Sequence, residues 1–442
     1  MANVLLVSYQ FPPSGTVGVP RALAYIRHLR SHGCHMSVLT ATKPQTPGSD
    51  QSLSDTIQND VAVHRAWNPE LPFAVRDRVW KKLMSLVRNN SETPQSASGS
   101  VPSHSRSWSD EKMRFVAQYF FFPDPQRTWV PFAVRKACRV IRSDNIDTVI
   151  LNAPPFSTLK IGIALKRQFP GLKIITDFRD EWLEYYLLNI DDPTSDKVRK
   201  AHVLEREIVA SSSYVSTVTR AWVQRLRDRY PDERADKFIY TPNGYEPEMF
   251  QNFCSRRLSD GKMRITYFGS VHMNRIYSPK NYLDAIETMP ARVRYRIETR
   301  FIGRVRPDAE ECLTNTKAIV RKLGFMSRMQ GIRYLEETDV LLVIATDPTS
   351  HAGKLFDYLP TGKPILALSP PDGEIGKLLQ ETGAGWCVDP WNRDEIRDTL
   401  LRIFDRLEAG ETLTTPNWTA ISSYSWPAIF ANFVNATRIQ PG

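Results

Sequence analysis

The residues best suited to chemistry lie in segment 351–368, HAGKLFDYLPTGKPILAL. An apolar run from Val340 to Ala345 precedes it and stops before Asp347-Pro348, so a buried strand is expected to end there. Gly353 is then expected to open a short helix bearing Lys354 and Asp357. A turn at Gly362 and Pro364 returns the chain to a second buried run, Ile365 to Leu368. Such strand–loop–helix–strand units set helix N–H groups beside the carboxyl ends of parallel strands, where phosphates bind. Asp357 is negative and only accepts hydrogen bonds, so it suits adjacent hydroxyls such as those of a ribose. The segment reads as a nucleotide cradle.

Four other constellations carry polar groups at predicted strand ends. Ile174-Ile175-Thr176-Asp177-Phe178-Arg179-Asp180 discharges Asp177, Arg179 and Asp180 at a crevice edge, the position where α/β enzymes keep their chemistry. An Asp–Arg pair that merely closes a loop accounts for the same residues. Asn152-Ala153-Pro154-Pro155 ends another strand in a rigid turn suited to shaping an acceptor pocket. Near the amino terminus, Gly15 and Gly18 follow a strand and permit close backbone approach, with Arg21 in the first helical turn behind them. The spacing is not that of the dinucleotide fingerprint, and a plain turn explains it equally. Gly269 ends the run Tyr267-Phe268, and Arg275 and Lys280 follow as cations able to neutralise a diphosphate leaving group or to lie on the surface as ordinary charges. The arginine-rich stretch 292–306 is expected to be a solvated face. The histidines are scattered, and no metal-ligand spacing, Walker A sequence or serine-type constellation occurs.

The elements that must position these groups alternate short β-branched runs with helical stretches, a pattern that predicts parallel sheets covered by helices. Strands are expected at 4–9, 36–40, 148–152, 173–178, 214–219 and 238–241, then at 264–268, 295–302, 340–346, 365–368 and 385–388. The turn-rich Thr241-Pro242-Asn243-Gly244 separates the two series, so a hinge is placed at 242–262. Residues 89–110 are polar and of low complexity, and a mobile loop is expected there. In 73–88, Val79, Trp80, Leu83 and Met84 recur at helical spacing beside Arg76, Lys81 and Lys82. That pattern suits an anionic membrane surface, or a helix packed on its own domain with solvated charges.

The 442 residues suffice for two or three domains, and no apolar run approaches the ~20 residues of a membrane span. A net charge of +10 points to an anionic partner, yet no nucleic-acid-binding module is present, so nucleic acid is not expected. Five dispersed cysteines and the lack of a signal-peptide pattern predict a cytoplasmic location, peripheral at the inner face of the membrane if the basic helix binds it.

In their order, the segments VLLVSYQFPPSGTVGVPRAL, FPDPQRTWVPFAV, NAPPFST, ITDFRDEW, TPNGYEPEMF and KLFDYLPTGKPILALSPPDGEIGKLLQETGAG resemble the GT-B glycosyltransferases of retaining family four (group 1). The resemblance implies an α/β chain with two facing Rossmann-like domains and a crossing C-terminal helix: 1–245 for the acceptor, 246–417 for a nucleotide-sugar, and 418–442 returning to the first domain. It implies that Asp357 grips ribose hydroxyls and that Arg275 or Lys280 clamps the diphosphate near Gly269, Gly353 and Lys354. It also implies that Gly15 and Gly18 approach the phosphates and that the loop at Phe325-Met326 receives the base. Arg179-Asp180 stands where many relatives carry His-Asp and is assigned to catalysis, while Arg21, Asn152 and Asp177 are assigned to the acceptor. The family's Glu-x7-Glu motif is altered, with Thr349 at the first position and Asp357 at the second. The implied activity is metal-independent transfer of a sugar from a nucleoside-diphosphate sugar to a glycan, lipid-linked or small hydroxyl acceptor, with no cofactor. The alternatives are a non-hydrolysing nucleotide-sugar epimerase and an inactive scaffold or membrane-recruitment protein of the same fold.

Overall fold

Runs such as Val4-Leu5-Leu6-Val7 and Val340-Leu341-Leu342-Val343 are buried throughout, as parallel strands covered by helices on both faces must be. A computed structural model describes residues 2–16, 18–44, 61–69, 122–183, 196–273 and 278–439, with residues 53 and 57. The expected membrane helix at 73–88, the low-complexity stretch 89–110 and Arg275 lie outside the described residues.

The first sheet contains β1 (Asn3–Ser8), β2 (His35–Ala41), β3 (Ala62–Ala66), β4 (Thr148–Ala153), β5 (Lys173–Phe178), β6 (Tyr214–Thr217) and β7 (Phe238–Tyr240). Their order is β3-β2-β1-β4-β5-β6-β7, with parallel pairing from β3 through β5. The second sheet contains β8 (Met263–Phe268), β9 (Ile297–Ile302), β10 (Ile319–Gly324), β11 (Val340–Ile344), β12 (Ile365–Leu368) and β13 (Gly385–Val388). It runs β10-β9-β8-β11-β12-β13, parallel throughout. Strand order reverses between β1 and β4 in one sheet and between β8 and β11 in the other. The loops leaving those strands therefore flank the crevices where open α/β sheets bind ligands.

The two faces of the second sheet build separate cores. Val340, Leu342 and Ile344 pack with Ile265, Tyr267 and Phe301, while Leu341 and Val343 pack with Leu355, Phe356 and Tyr358. Alternation along β11 thus ties the helix carrying the cradle to the sheet's second face. Two edge strands, β3 and β10, were not expected from the sequence. Each carries polar residues on partly exposed positions, Ala-Val-His-Arg-Ala and Ile-Val-Arg-Lys-Leu-Gly, and so lacks a buried apolar run.

The chain divides into residues 1–216 with 434–442, and residues 217–433. The turn-rich linker points to a boundary at 245–246, whereas the contacts divide the chain earlier. The helix Arg220–Arg229 makes its polar contacts with later residues of the second unit: the Arg220 N–H donates to Glu374 Oε2 (3.0 Å) and Trp222 Nε1 donates to Thr349 Oγ1 (3.0 Å). The last helix, Trp426–Thr437, carries the chain back to the first unit, where Lys173 Nζ donates to the carbonyls of Thr437 (3.2 Å) and Arg438 (2.7 Å). Among the described residues no helix is long and apolar enough to cross a membrane.

Candidate functional site

In the second unit the loop after β8 begins with Gly269, whose φ of +149° only glycine adopts without strain. A Cβ there would stand 2.8 Å from Lys354 Nζ, and one on Gly303 (φ +139°) would stand 2.3 Å from the Gly269 carbonyl oxygen. The two glycines let the ends of β8 and β9 close over the lysine. Lys354 Nζ lies 3.2 Å from the centre of the Tyr267 ring, and the Tyr267 hydroxyl donates to the Ser270 carbonyl (3.2 Å). No carboxylate or carbonyl meets Lys354 Nζ among the described residues. Burial drives its pKa well below the ordinary lysine value.

Lys354 caps the helix Leu355–Tyr358, and Gly353 before it is exposed. The Phe268 N–H donates to the Tyr358 hydroxyl (2.7 Å), which donates to the Leu342 carbonyl (3.4 Å), so one buried tyrosine fixes this helix against β8 and β11. Asp357 accepts from Arg328 Nε at 2.9 Å, and from Nη2, both on Oδ1. Although burial opposes its charge, Arg328 has a raised pKa because Asp357, and then Glu246, stand close. Arg328 opens the helix Arg328–Leu335, whose first turn is fixed by a reciprocal cap between Ser327 and Gln330. Met326 lies half-buried in the turn just before it.

Thr349, at the position of the altered motif's first acid, donates through Oγ1 to Asp347 Oδ1 (2.9 Å) and accepts from Trp222 Nε1. His351 is 2% exposed, with Nε2 4.0 Å from Glu374 Oε2, and burial lowers its pKa to about 4. Lys280 differs from the expected diphosphate clamp. It is 56% exposed and its Nζ donates to both oxygens of Asp284 (3.1 Å), so it already has a carboxylate partner.

In the first unit the expected acceptor contacts Arg21 and Asp177 require correction. They are 2% and 0% exposed and bond each other through two contacts, Nε to Oδ2 (2.8 Å) and Nη2 to Oδ1 (2.7 Å). Ser216 Oγ adds a third hydrogen bond to Asp177 (3.0 Å). A pair this enclosed fastens the helix α1 (Val19–Ser31) to β5 and leaves nothing for an acceptor. Asn152 is also buried, at 2% exposure, and its Nδ2 has no hydrogen-bond partner among the described residues. Arg179 follows β5 with its side chain 10% exposed. Its Nη2 lies 3.5 Å from Asp180 Oδ2, and Nη1 is buried without a partner among the described residues. Asp180 itself is 56% exposed. Gly18 begins α1 and is buried, while Gly15 is exposed on the loop before it.

Sequence reasoning missed Arg328, Tyr267 and Gly303. Arg328 lies 29 residues from the carboxylate it grips, and no local spacing marks it. Tyr267 was legible as a strand residue, since its role comes only from a lysine brought over its ring by the β11 loop. Among the described residues, no group of three or more His, Cys, Asp or Glu side chains is placed to hold a metal ion.

Residues 18–244 match the family described as the glycosyl transferase 4-like domain. Comparison with curated proteins gave no match. Among solved structures, HepE of Anabaena in complex with UDP is 13% identical with a TM-score of 0.57, covering 100% of this chain and 97% of its own. The lipopolysaccharide outer core galactosyltransferase WaaB is 12% identical with a TM-score of 0.57, covering 99% of both chains. A protein described as a putative UDP-N-acetylglucosamine 2-epimerase from Listeria monocytogenes is 12% identical with a TM-score of 0.53, covering 99% of this chain and 95% of its own. At such identities these likenesses establish the GT-B fold and leave chemistry to the site.

Proposed function

The chain belongs to the glycosyl transferase 4-like family, and from that premise we propose that it transfers a sugar from a nucleoside-diphosphate sugar to a hydroxyl acceptor, with retention and without a metal ion. The observation that carries the reading is Lys354: a half-buried cation held 3.2 Å from the centre of the Tyr267 ring, with no counter-ion among the described residues, at the switch point of the second sheet. A diphosphate supplies the missing charge. Gly269 and Gly303 leave the backbone without side chains where such a group would approach. UDP is the first nucleotide to try, because HepE was solved with it.

In this reading Asp357 holds the ribose. Arg328 occupies Oδ1 and orients the carboxylate, which leaves Oδ2 to accept from the sugar hydroxyls. As the glycosidic bond breaks, negative charge grows on the leaving diphosphate, and the Lys354 ammonium stabilises it more in the transition state than in the ground state. The leaving oxygen then takes the acceptor's proton on the same face, so configuration is retained with no covalent nucleophile.

Lys354→Met is expected to weaken UDP binding by about 10- to 100-fold in calorimetry, the worth of one charge-assisted hydrogen bond, ~1.5–3 kcal/mol. Unchanged affinity would remove Lys354 from the site. Transfer is expected to survive chelation with EDTA, and its loss with recovery on adding a divalent cation would refute the metal-free mechanism. One observation favours a binding-only reading: Thr349 is tied to Asp347 and Trp222 and supplies no acid at its position. Release of UDP that depends on acceptor eliminates that reading.

A further inference from the structure

Around the carboxyl ends of β4 and β5, the buried donors of the first unit with no acceptor among the described residues include Asn152 Nδ2 and Arg179 Nη1. Asn152 lies in register between Ser8 of β1 and Asp177 of β5. It shares the sheet face of Asp177, the face on which Arg21 of α1 lies. Arg179 follows that strand end, and its Nη1 fills the space a side chain on Gly18 would take: a Cβ there would stand 1.9 Å away. Gly18 is the residue from which α1 starts, and the amino end of a 13-residue helix carries a partial positive charge.

A guanidinium pressed against the positive end of a helix is electrostatically adverse unless an anion joins them. Neither Asp177 nor Asp180 joins them closely. Asp177 is consumed by Arg21, and Asp180 reaches Arg179 only at 3.5 Å from a side chain that is 56% exposed. We propose that Arg179, Asn152 and the first turn of α1 form an oxyanion site on the first unit. Its ligand is a carboxylate or phosphate borne by a substrate elsewhere than on the leaving diphosphate. Arg179 suits either group, since its planar fork matches both. That the oxyanion belongs to a sugar-transfer substrate rests on the function proposed above; the site itself does not.

The test is thermal unfolding of the full chain in sodium glucuronate or inorganic phosphate against sodium chloride at equal ionic strength. Wild type is compared with Lys354→Met, Arg179→Gln, Arg179→Lys and Gly18→Ala. Gly18 has a φ of −81°, which alanine adopts freely, so Gly18→Ala keeps the helix and displaces chiefly the guanidinium, with a smaller shift of Gln10 Oε1, 3.1 Å from the new Cβ. Both anions are expected to raise the wild-type midpoint above that in chloride. The rise should persist in Lys354→Met, vanish in Arg179→Gln and Gly18→Ala, and survive in part in Arg179→Lys. No rise in wild type, or a rise that Arg179→Gln keeps and Lys354→Met loses, overturns the proposal.

Two further arms identify the carrier. About tenfold tighter binding of UDP-glucuronate than UDP-glucose, abolished in Arg179→Gln, places the oxyanion on the transferred sugar. Equal binding of the two donors, with Arg179-dependent binding of a phosphorylated methyl glycoside and none of the neutral one, places it on the acceptor. If neither ligand pair is discriminated, the proposal fails. Should no nucleotide-sugar bind at all, the donor reading fails while the salt comparison still decides the oxyanion site.

Discussion

A lysine ammonium withdrawn from water with no carboxylate beside it favours its neutral form, and an incoming diphosphate reverses that preference. Binding at Lys354 must therefore take up protons once the pH exceeds its depressed ligand-free pKa, and UDP affinity must fall as pH rises through that range. Calorimetry in buffers of different ionisation enthalpy should report the uptake in wild type and none in Lys354→Met. Equal uptake in both would assign the proton elsewhere. His351, three residues away, titrates toward stability instead. Its folded pKa is lowered to about 4 by burial, against about 6.5 unfolded. The unfolded state binds the extra proton, so its contribution is fully present above pH 6.5 and is lost as pH falls toward 4, by roughly 3 kcal/mol in all. Urea midpoints of wild type should fall across that window more steeply than those of His351→Phe. Parallel curves would show that the ring is not held neutral.

The elements legible in the sequence are those whose strands are buried on both faces. The runs 173–178 and 365–368 coincide with β5 and β12, because parallel strands under helices need continuous apolar residues. The edges β3 and β10 escaped because His64-Arg65 and Arg321-Lys322 break any such run. The donor-side candidates Lys354 and Asp357 were legible because they are close in sequence. The Arg21–Asp177 pair was misread because the partners lie 156 residues apart, and a charged residue at a strand end looks the same whether it faces a ligand or a helix. The pair now serves as the joint between α1 and β5. Removing one partner strands a buried charge, so Asp177→Asn should cost about 3–5 kcal/mol, and the double change Arg21→Met/Asp177→Leu considerably less. Equilibrium unfolding separates this from an acceptor role. A stable Asp177→Asn protein with a raised acceptor KM would restore the acceptor assignment.

For the whole molecule, each unit has its own switch point with a cation beside it: Lys354 beside β8 in the second, without a carboxylate partner among the described residues, and Arg179 beside β5 in the first, paired with Asp180 only at 3.5 Å. An excess of ten positive charges over the chain draws anions to both and makes the encounter dependent on salt. Ligands should nonetheless sort by unit, because the surroundings differ. The second unit offers Asp357 for hydroxyls next to its cation, whereas the first offers the Asn152 amide and a helix terminus. Hydrogen exchange on the full chain reads both at once, since ligand at ~100 times its dissociation constant adds roughly 2.7 kcal/mol against opening of the structure that binds it. UDP is expected to slow exchange in 263–269, 301–306 and 340–358, and glucuronate to slow it in 15–22 and 150–153. If UDP protects only the first unit, the donor assignment falls. If glucuronate protects only the segment around Lys354, the two cations compete for one anion and the first-unit site is not separate.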